Sequence, residues 1–259
     1  MRIAIGLMLA VSLAACSSGE EATPEPSAEE AVYEASAYTA AVDDPARPEA
    51  DRERDAGRKP AELLAFAQID IGEKVGDYIM GGGYVTRLLA RAVGDDGRVY
   101  AFQPEEFIAF RSEYAAEQDT AVADYANVTP LRAPVAAPGF PEPLDTIITV
   151  MNFHDLYIPQ MPEGTSANAI AALHAALKPG GTLVVVDHSA VEGTGTQTTD
   201  ATHRIDRQTV IDDLTAAGFT LEAESDLYSR PDDPRTANVF APEIRGKTDQ
   251  FVLRLRKPG

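Results

Sequence analysis

Three histidines with acids beside them mark where this 259-residue chain can do chemistry. His154-Asp155 and Asp187-His188 are adjacent pairs, and His203 follows in a polar stretch. Three kinds of role suit them. An imidazole titrates near neutral pH, so His154, His188 or His203 beside a carboxylate can take a proton from a nucleophile as a general base. The same imidazoles with Asp155 suit a divalent cation of the zinc type. They can also simply hydrogen-bond loops in place. No tight ligand spacing such as H-E-x-x-H chooses among the three, and no metal is assigned on sequence alone. His174 stands apart inside a helical apolar period and is expected to pack.

The second feature is Asp77-Tyr78-Ile79-Met80-Gly81-Gly82-Gly83. Consecutive glycines let a chain turn sharply and present backbone N–H groups to a ligand at a helix start without Cβ obstruction. A plain strand-to-helix turn uses the same residues. The chain has neither G-x-S-x-G nor G-x-x-x-x-G-K-[ST]. Serine-hydrolase and phosphate-loop nucleotide chemistry therefore lose their support.

The elements that must position these residues alternate. Pro60 starts a helix that Gly72 stops. Strands are predicted at 74–79, 98–102, 128–131, 145–151, 182–187, 219–227 and 250–256. Helices are predicted at 82–93, 105–123, 167–177 and 206–217, the last capped by Asp206. Residues 132–143 hold four prolines and a glycine and read as loop. The run Thr146–Val150 is near-continuously apolar, as expected when both faces of a sheet are covered. Repeating strand–helix units with buried parallel strands predict an α/β, doubly wound open sheet. Ligands in such folds sit at the C-terminal ends of the strands. His154, His188 and His203 all fall on that edge.

The order Lys74-Val75-Gly76-Asp77, Gly81-Gly82-Gly83-Tyr84, Leu88-Leu89-Ala90, Gly97-Arg98-Val99-Tyr100-Ala101 and Leu177-Lys178-Pro179-Gly180-Gly181-Thr182-Leu183 resembles the class I S-adenosylmethionine-dependent methyltransferases. With Asn152-Phe153-His154-Asp155 and His203-Arg204-Ile205-Asp206 it is similar to a bacterial group described as predicted methyltransferases. The resemblance covers residues 60–258. It implies a Rossmann-like, seven-stranded, mostly parallel sheet with an antiparallel last strand and helices on both faces. It also implies S-adenosyl-L-methionine as cofactor, held by Asp77, Gly81, Gly82, Gly83, Gln103 and Asn152. Ile79 stands where the family's first motif glycine lies, and Gln103 where an acid binds the ribose hydroxyls. The catalytic candidates are His154, Asp155, His188 and His203. The implied activity is methyl transfer to an unidentified small-molecule acceptor. The alternative is a non-catalytic binding protein on a degenerate methyltransferase scaffold, which the changes at Ile79 and Gln103 favour.

The N-terminus carries an address. Met1-Arg2, an apolar stretch too short to span a bilayer as a helix, and Leu13-Ala14-Ala15-Cys16 resemble a bacterial lipoprotein signal with its lipobox. Residues 1–16 are thus expected to be the signal, with lipid on Cys16. Ser17 after the cysteine implies the outer membrane, the protein facing the periplasm of a bacterial envelope. Membrane attachment would be by the lipid anchor only. Residues 17–59 hold twelve acidic and five basic side chains and few large apolar ones. They are expected to form a largely flexible acidic tether, with short helices around 29–41 and 51–58. The methyltransferase-like domain then spans 60–259. Cys16 is the one cysteine, so no intramolecular disulfide forms. A formal charge of −19 argues against nucleic acid as a partner. No oligomeric state is read from the sequence.

Overall fold

Alternate residues of the central strands face two different apolar clusters, and this period of two builds the domain. Val75, Val99, Ala101, Ile148, Val184 and Val252 pack on one face. Tyr78, Phe102, Ile147, Leu183, Val185 and Leu253 pack on the other. The computed structural model describes residues 33–259. The export signal, Cys16 and the first part of the expected tether lie outside the described residues.

The order of elements is α1 (Thr39–Val42), α2 (Glu49–Arg52), α3 (Asp55–Arg58), α4 (Pro60–Ala67), β1 (Lys74–Tyr78), α5 (Tyr84–Ala92), β2 (Arg98–Pro104), α6 (Glu105–Phe110), α7 (Glu113–Val122), β3 (Val128–Ala133), β4 (Leu144–Val150), α8 (Thr165–Ala176), β5 (Leu177–His188), α9 (Thr199–Thr202), α10 (Arg207–Ala216), β6 (Thr220–Ser225) and β7 (Gln250–Arg256). The strands form one sheet in the order β3-β2-β1-β4-β5-β7-β6. Neighbours from β3 to β5 are parallel, and β7 runs antiparallel to both β5 and β6. Helices α4 and α5 cover one face, α8 and α10 the other. The expected seven-stranded, doubly wound architecture with its antiparallel last strand is what the chain adopts. Strand order reverses between β1 and β4, so the ends of those strands flank the crevice where such sheets take ligands.

Three local expectations need correction. The helix foreseen at 105–123 is two, because Arg111 takes an extended conformation (φ −142°, ψ 101°) and breaks it. Strand β3 continues to Ala133, tolerating Pro130 because an edge strand leaves one side unpaired. Strand β5 begins at Leu177, ahead of the glycines. Leu177 pairs with Leu144 and Thr182 with Thr146, so Lys178–Gly181 bulges around Asp145, whose carboxylate holds Lys178 Nζ and the Lys74 N–H.

The larger correction concerns residues 33–59, which fold against the domain instead of forming a tether. Tyr38 and Ala41 are buried in the first cluster, and the Tyr38 hydroxyl donates to Ile69 O. The charges pair with one another. Arg47, with no exposed side-chain surface, grips Asp55 with two hydrogen bonds of 2.6 and 2.9 Å, and Asp55 also accepts from the Tyr84 hydroxyl. Asp44 accepts from the Tyr125 hydroxyl, and Asp51 binds Arg54 and Arg87. Composition read these acids as solvated, but their partners are supplied by the segment itself and by α5.

Breaking a buried pair strands a charge and costs about 3 kcal/mol or more. Arg47→Ala should therefore lower the unfolding free energy by about 3 kcal/mol in urea titration. Glu49→Ala, on an exposed side chain of the same segment, should change it by under about 0.5 kcal/mol.

Candidate functional site

The chain leaves β1 into a strained turn. Ile79 has φ +64°, a left-handed conformation rare for a β-branched residue, and it is buried in the second cluster. Met80 N–H donates to Phe102 O and Gly83 N–H to Met80 O. A Cβ at Gly83 would lie 2.4 Å from the Ala121 Cβ, so no side chain fits there. Around Gly81 and Gly82 a Cβ would meet nothing within 4 Å. Among the described residues none accepts a hydrogen bond from the Gly81 or Gly82 N–H. Two backbone donors thus face open space at the start of α5.

Asp77 lies behind this turn. It is buried, faces α5 and accepts from the Thr86 hydroxyl at 2.5 Å; burial pushes its carboxyl up to about 6. Arg87 reaches back from α5 to donate to Gly82 O at 2.9 Å, while its Nε donates to Asp51 at 2.7 Å. The N-terminal segment thereby braces the turn. Nothing in the local sequence signals this bond, which joins residues 36 positions apart.

Gln103 follows the rung that pairs Tyr78 with Phe102 and stands beside the turn. Its side chain is fully buried, and neither amide atom has a hydrogen-bond partner. Leaving a buried polar group unpaired costs about 1–3 kcal/mol. Asn152, just past β4, donates from Nδ2 to Ile79 O at 2.9 Å and Val150 O at 2.8 Å. It ties the end of β1 to the end of β4 and joins the glycine turn to the histidine cluster.

That cluster is organised by Asp187, at the end of β5. Its carboxylate accepts from the His154 N–H at 2.7 Å and the His188 N–H at 2.7 Å, and lies 2.8 Å from His154 Nδ1. Burial works against charge at both groups, but each outweighs it for the other: Asp187 raises His154 above the ordinary imidazole value, and His154 holds Asp187 below the ordinary carboxylate value. His154 Nε2 then faces His203 Nδ1 at 3.3 Å and Asp155 Oδ1 at 3.4 Å. Burial pushes Asp155 up to about 6 and holds His203 below its ordinary value. His203 has φ +54° at the end of α9, with the Phe240 ring edge-on to it, centroids 5.0 Å apart.

Of the four catalytic candidates, the structure brings His154, Asp155 and His203 together. His188 sits nearby, its ring centroid 6.3 Å from that of His154, but its Nδ1 is engaged by the Thr248 hydroxyl at 2.8 Å, and burial pushes it down to about 4. His174 packs edge-on against Phe219, as expected. The sequence candidates omitted Asp187, although its place beside His188 at a strand end was the available signal. A polar cavity of about 710 Å³ opens farther along the same rim, between Ser189, Asp206, Glu224 and Asp249, and none of the candidate residues line it.

The two glycine environments predict opposite outcomes. Gly83→Ala should cost at least about 2 kcal/mol of stability, from positive φ and overlap with Ala121. Gly82→Ala should melt within about 2 °C of the parent. Thermal denaturation of the two variants checks this.

No family model matches the sequence, and no curated protein is similar to it in sequence. Solved structures are similar in shape. A S-adenosylmethionine-dependent methyltransferase from Aquifex aeolicus superposes with a TM-score of 0.56 at 21% identity, covering 87% of this chain and 99% of that one. A TehB-like S-adenosylmethionine-dependent methyltransferase from Corynebacterium glutamicum gives 0.51 at 16% identity, covering 80% and 95%. The [4+2]-cyclase SpnF gives 0.54 at 17% identity, covering 78% and 81%. At these identities the likeness is one of fold, so the conclusion from the elements, the crevice and the comparisons together is that this chain has the fold of the class I S-adenosylmethionine-dependent methyltransferases.

Proposed function

We propose that the domain binds S-adenosylmethionine at the Gly81–Gly83 turn and transfers its methyl group to a small-molecule acceptor held against His154, Asp155 and His203. The observation that carries this reading is the fully buried Gln103 amide, with donor and acceptor both unpaired, beside two glycines whose N–H groups are free. A buried amide is retained without partners where a ligand supplies them. Vicinal hydroxyls suit it, since the amide both donates and accepts.

The residues present fit the cofactor. Gly81 and Gly82 offer backbone N–H groups and room, Gln103 hydrogen bonds for ribose, and Asn152 a wall shared with the histidine cluster. Asp77 acts from behind by fixing the turn to α5 through Thr86. When bound, the cofactor supplies an electrophilic methyl group that needs alignment more than activation. The chain's own contribution is therefore positioning. His154, oriented by Asp187, and Asp155 place lone pairs where the acceptor loses its proton. The dry, apolar surroundings of Asp187 keep that orientation fixed.

The second reading, a binding protein that keeps the sheet without the reaction, is favoured by Ile79 at the family's glycine position with φ +64°. Titration calorimetry of the full chain in detergent separates the two. S-adenosylmethionine and S-adenosylhomocysteine should each bind once. No heat and no thermal shift from a folded protein at millimolar ligand would leave only the binding protein. Gln103→Leu sharpens the test: it should raise the stability of the ligand-free protein by about 1 kcal/mol while weakening both ligands by about tenfold or more.

We also propose that the domain is held at the bacterial outer membrane, facing the periplasm, by lipid on Cys16. The lipobox Leu13-Ala14-Ala15-Cys16 supports this. Cys16→Ala should move the protein from the membrane fraction to the soluble fraction; retention of the variant in membranes would refute the anchor.

A further inference from the structure

We infer that His154, His203 and Asp155 form a binding site for a divalent transition cation of the zinc type, with one coordination position left open. The donor atoms His154 Nε2, His203 Nδ1 and Asp155 Oδ1 make a triangle with sides of 3.3, 3.4 and 3.9 Å. A tetrahedral zinc with ligand bonds of about 2.1 Å separates its donors by about 3.4 Å. The triangle has that size. As hydrogen bonds, the same contacts are poor, since N–H to oxygen pairs prefer 2.7–3.2 Å.

Proton counting points the same way. Asp187 holds His154 Nδ1, so Nδ1 carries the proton and Nε2 presents a lone pair. Among the described residues, none donates a hydrogen bond to the Asp155 carboxylate. His203 Nδ1 carries at most one proton, which cannot serve both groups. Three mutually facing lone pairs are what a cation satisfies. A carboxylate behind the liganding imidazole is the usual support of a metal-bound histidine, and Asp187 supplies it with two backbone N–H groups holding it in place. His203 reaches the site through a left-handed backbone, a conformation that costs about 1–3 kcal/mol elsewhere in proteins. Such strain at a residue aimed into a cluster marks a positioned side chain.

The donor set narrows the ion. Two imidazoles and one carboxylate suit zinc, iron(II) or cobalt(II), whereas calcium and magnesium need oxygen shells. Three protein donors leave room for a fourth ligand, as in catalytic rather than structural sites. The open position faces the space assigned above to the acceptor. The site itself rests only on the three donors and Asp187, and goes beyond the cofactor reading.

The test is zinc chloride titrated into the chelator-treated full chain by calorimetry, with no S-adenosylmethionine present, so that cation binding and cofactor binding fail or succeed separately. One zinc per chain at micromolar affinity or tighter is expected, with no heat from magnesium at the same concentration. Cobalt(II) should give the strong visible absorption of a four-coordinate ion. His203→Ala should weaken zinc at least tenfold. Its side chain is 30% exposed, so the variant should stay folded even if the buried His154→Ala does not. Asp187→Asn, which keeps all three donors, should weaken zinc about 10- to 100-fold. Absence of zinc binding by the parent, or unchanged zinc affinity in a folded His203→Ala, would overturn the inference.

Discussion

A single buried carboxylate holds the functional edge of this protein together. Asp187 has no exposed surface, and an isolated charge there would be costly. It is kept ionised by converging donors: two backbone N–H groups and the imidazole of His154. The bond to the His154 main chain fixes the turn after β4, and the bond to its ring fixes which nitrogen faces outward. Every contact in the cluster inherits its geometry from this one group. Asp155 follows in the same turn, and His203 meets the nitrogen that Asp187 leaves free.

Strain gathers at the same edge. Ile79 after β1, Met151 after β4 and His203 after α9 all have φ near +60° without being glycine. Such residues persist where surrounding packing over-determines them. Ile79 is held by burial in the second apolar cluster, and its carbonyl and that of Val150 share the Asn152 amide. The two halves of the crevice are thus joined by one side chain. The N-terminal segment adds a brace from the other direction, through Asp51 and Arg87 to the carbonyl of Gly82.

The fold was legible because its signals are local. Apolar runs such as Thr146–Val150, the stop at Gly72, the cap at Asp206 and the glycine turn each report their own surroundings. The Asp206 side chain does accept the Gln208 N–H, and Pro60 does open α4. The misreadings came where a local signal was overruled at a distance. Residues 33–59 look like a solvated tether because composition counts charges without knowing their partners. Arg47 and Asp55 find each other within the segment, while Asp44 and Asp51 are satisfied by Tyr125 and Arg87 far along the chain.

The sequence by itself determined the architecture and the edge on which the chemistry lies, because strand periodicity and turn residues act over a few neighbours. It also named His154, Asp155 and His203. What the tertiary structure decided is which of their atoms meet. His154 and Asp187 are 33 residues apart, His154 and His203 are 49, and their relative orientation depends on strand register, backbone strain and a buried charge. His188, equally visible in the sequence, was turned to Thr248 instead. Chemistry at the tenth-of-an-ångström scale is set by packing between distant segments, and no pattern of neighbours along the chain encodes it.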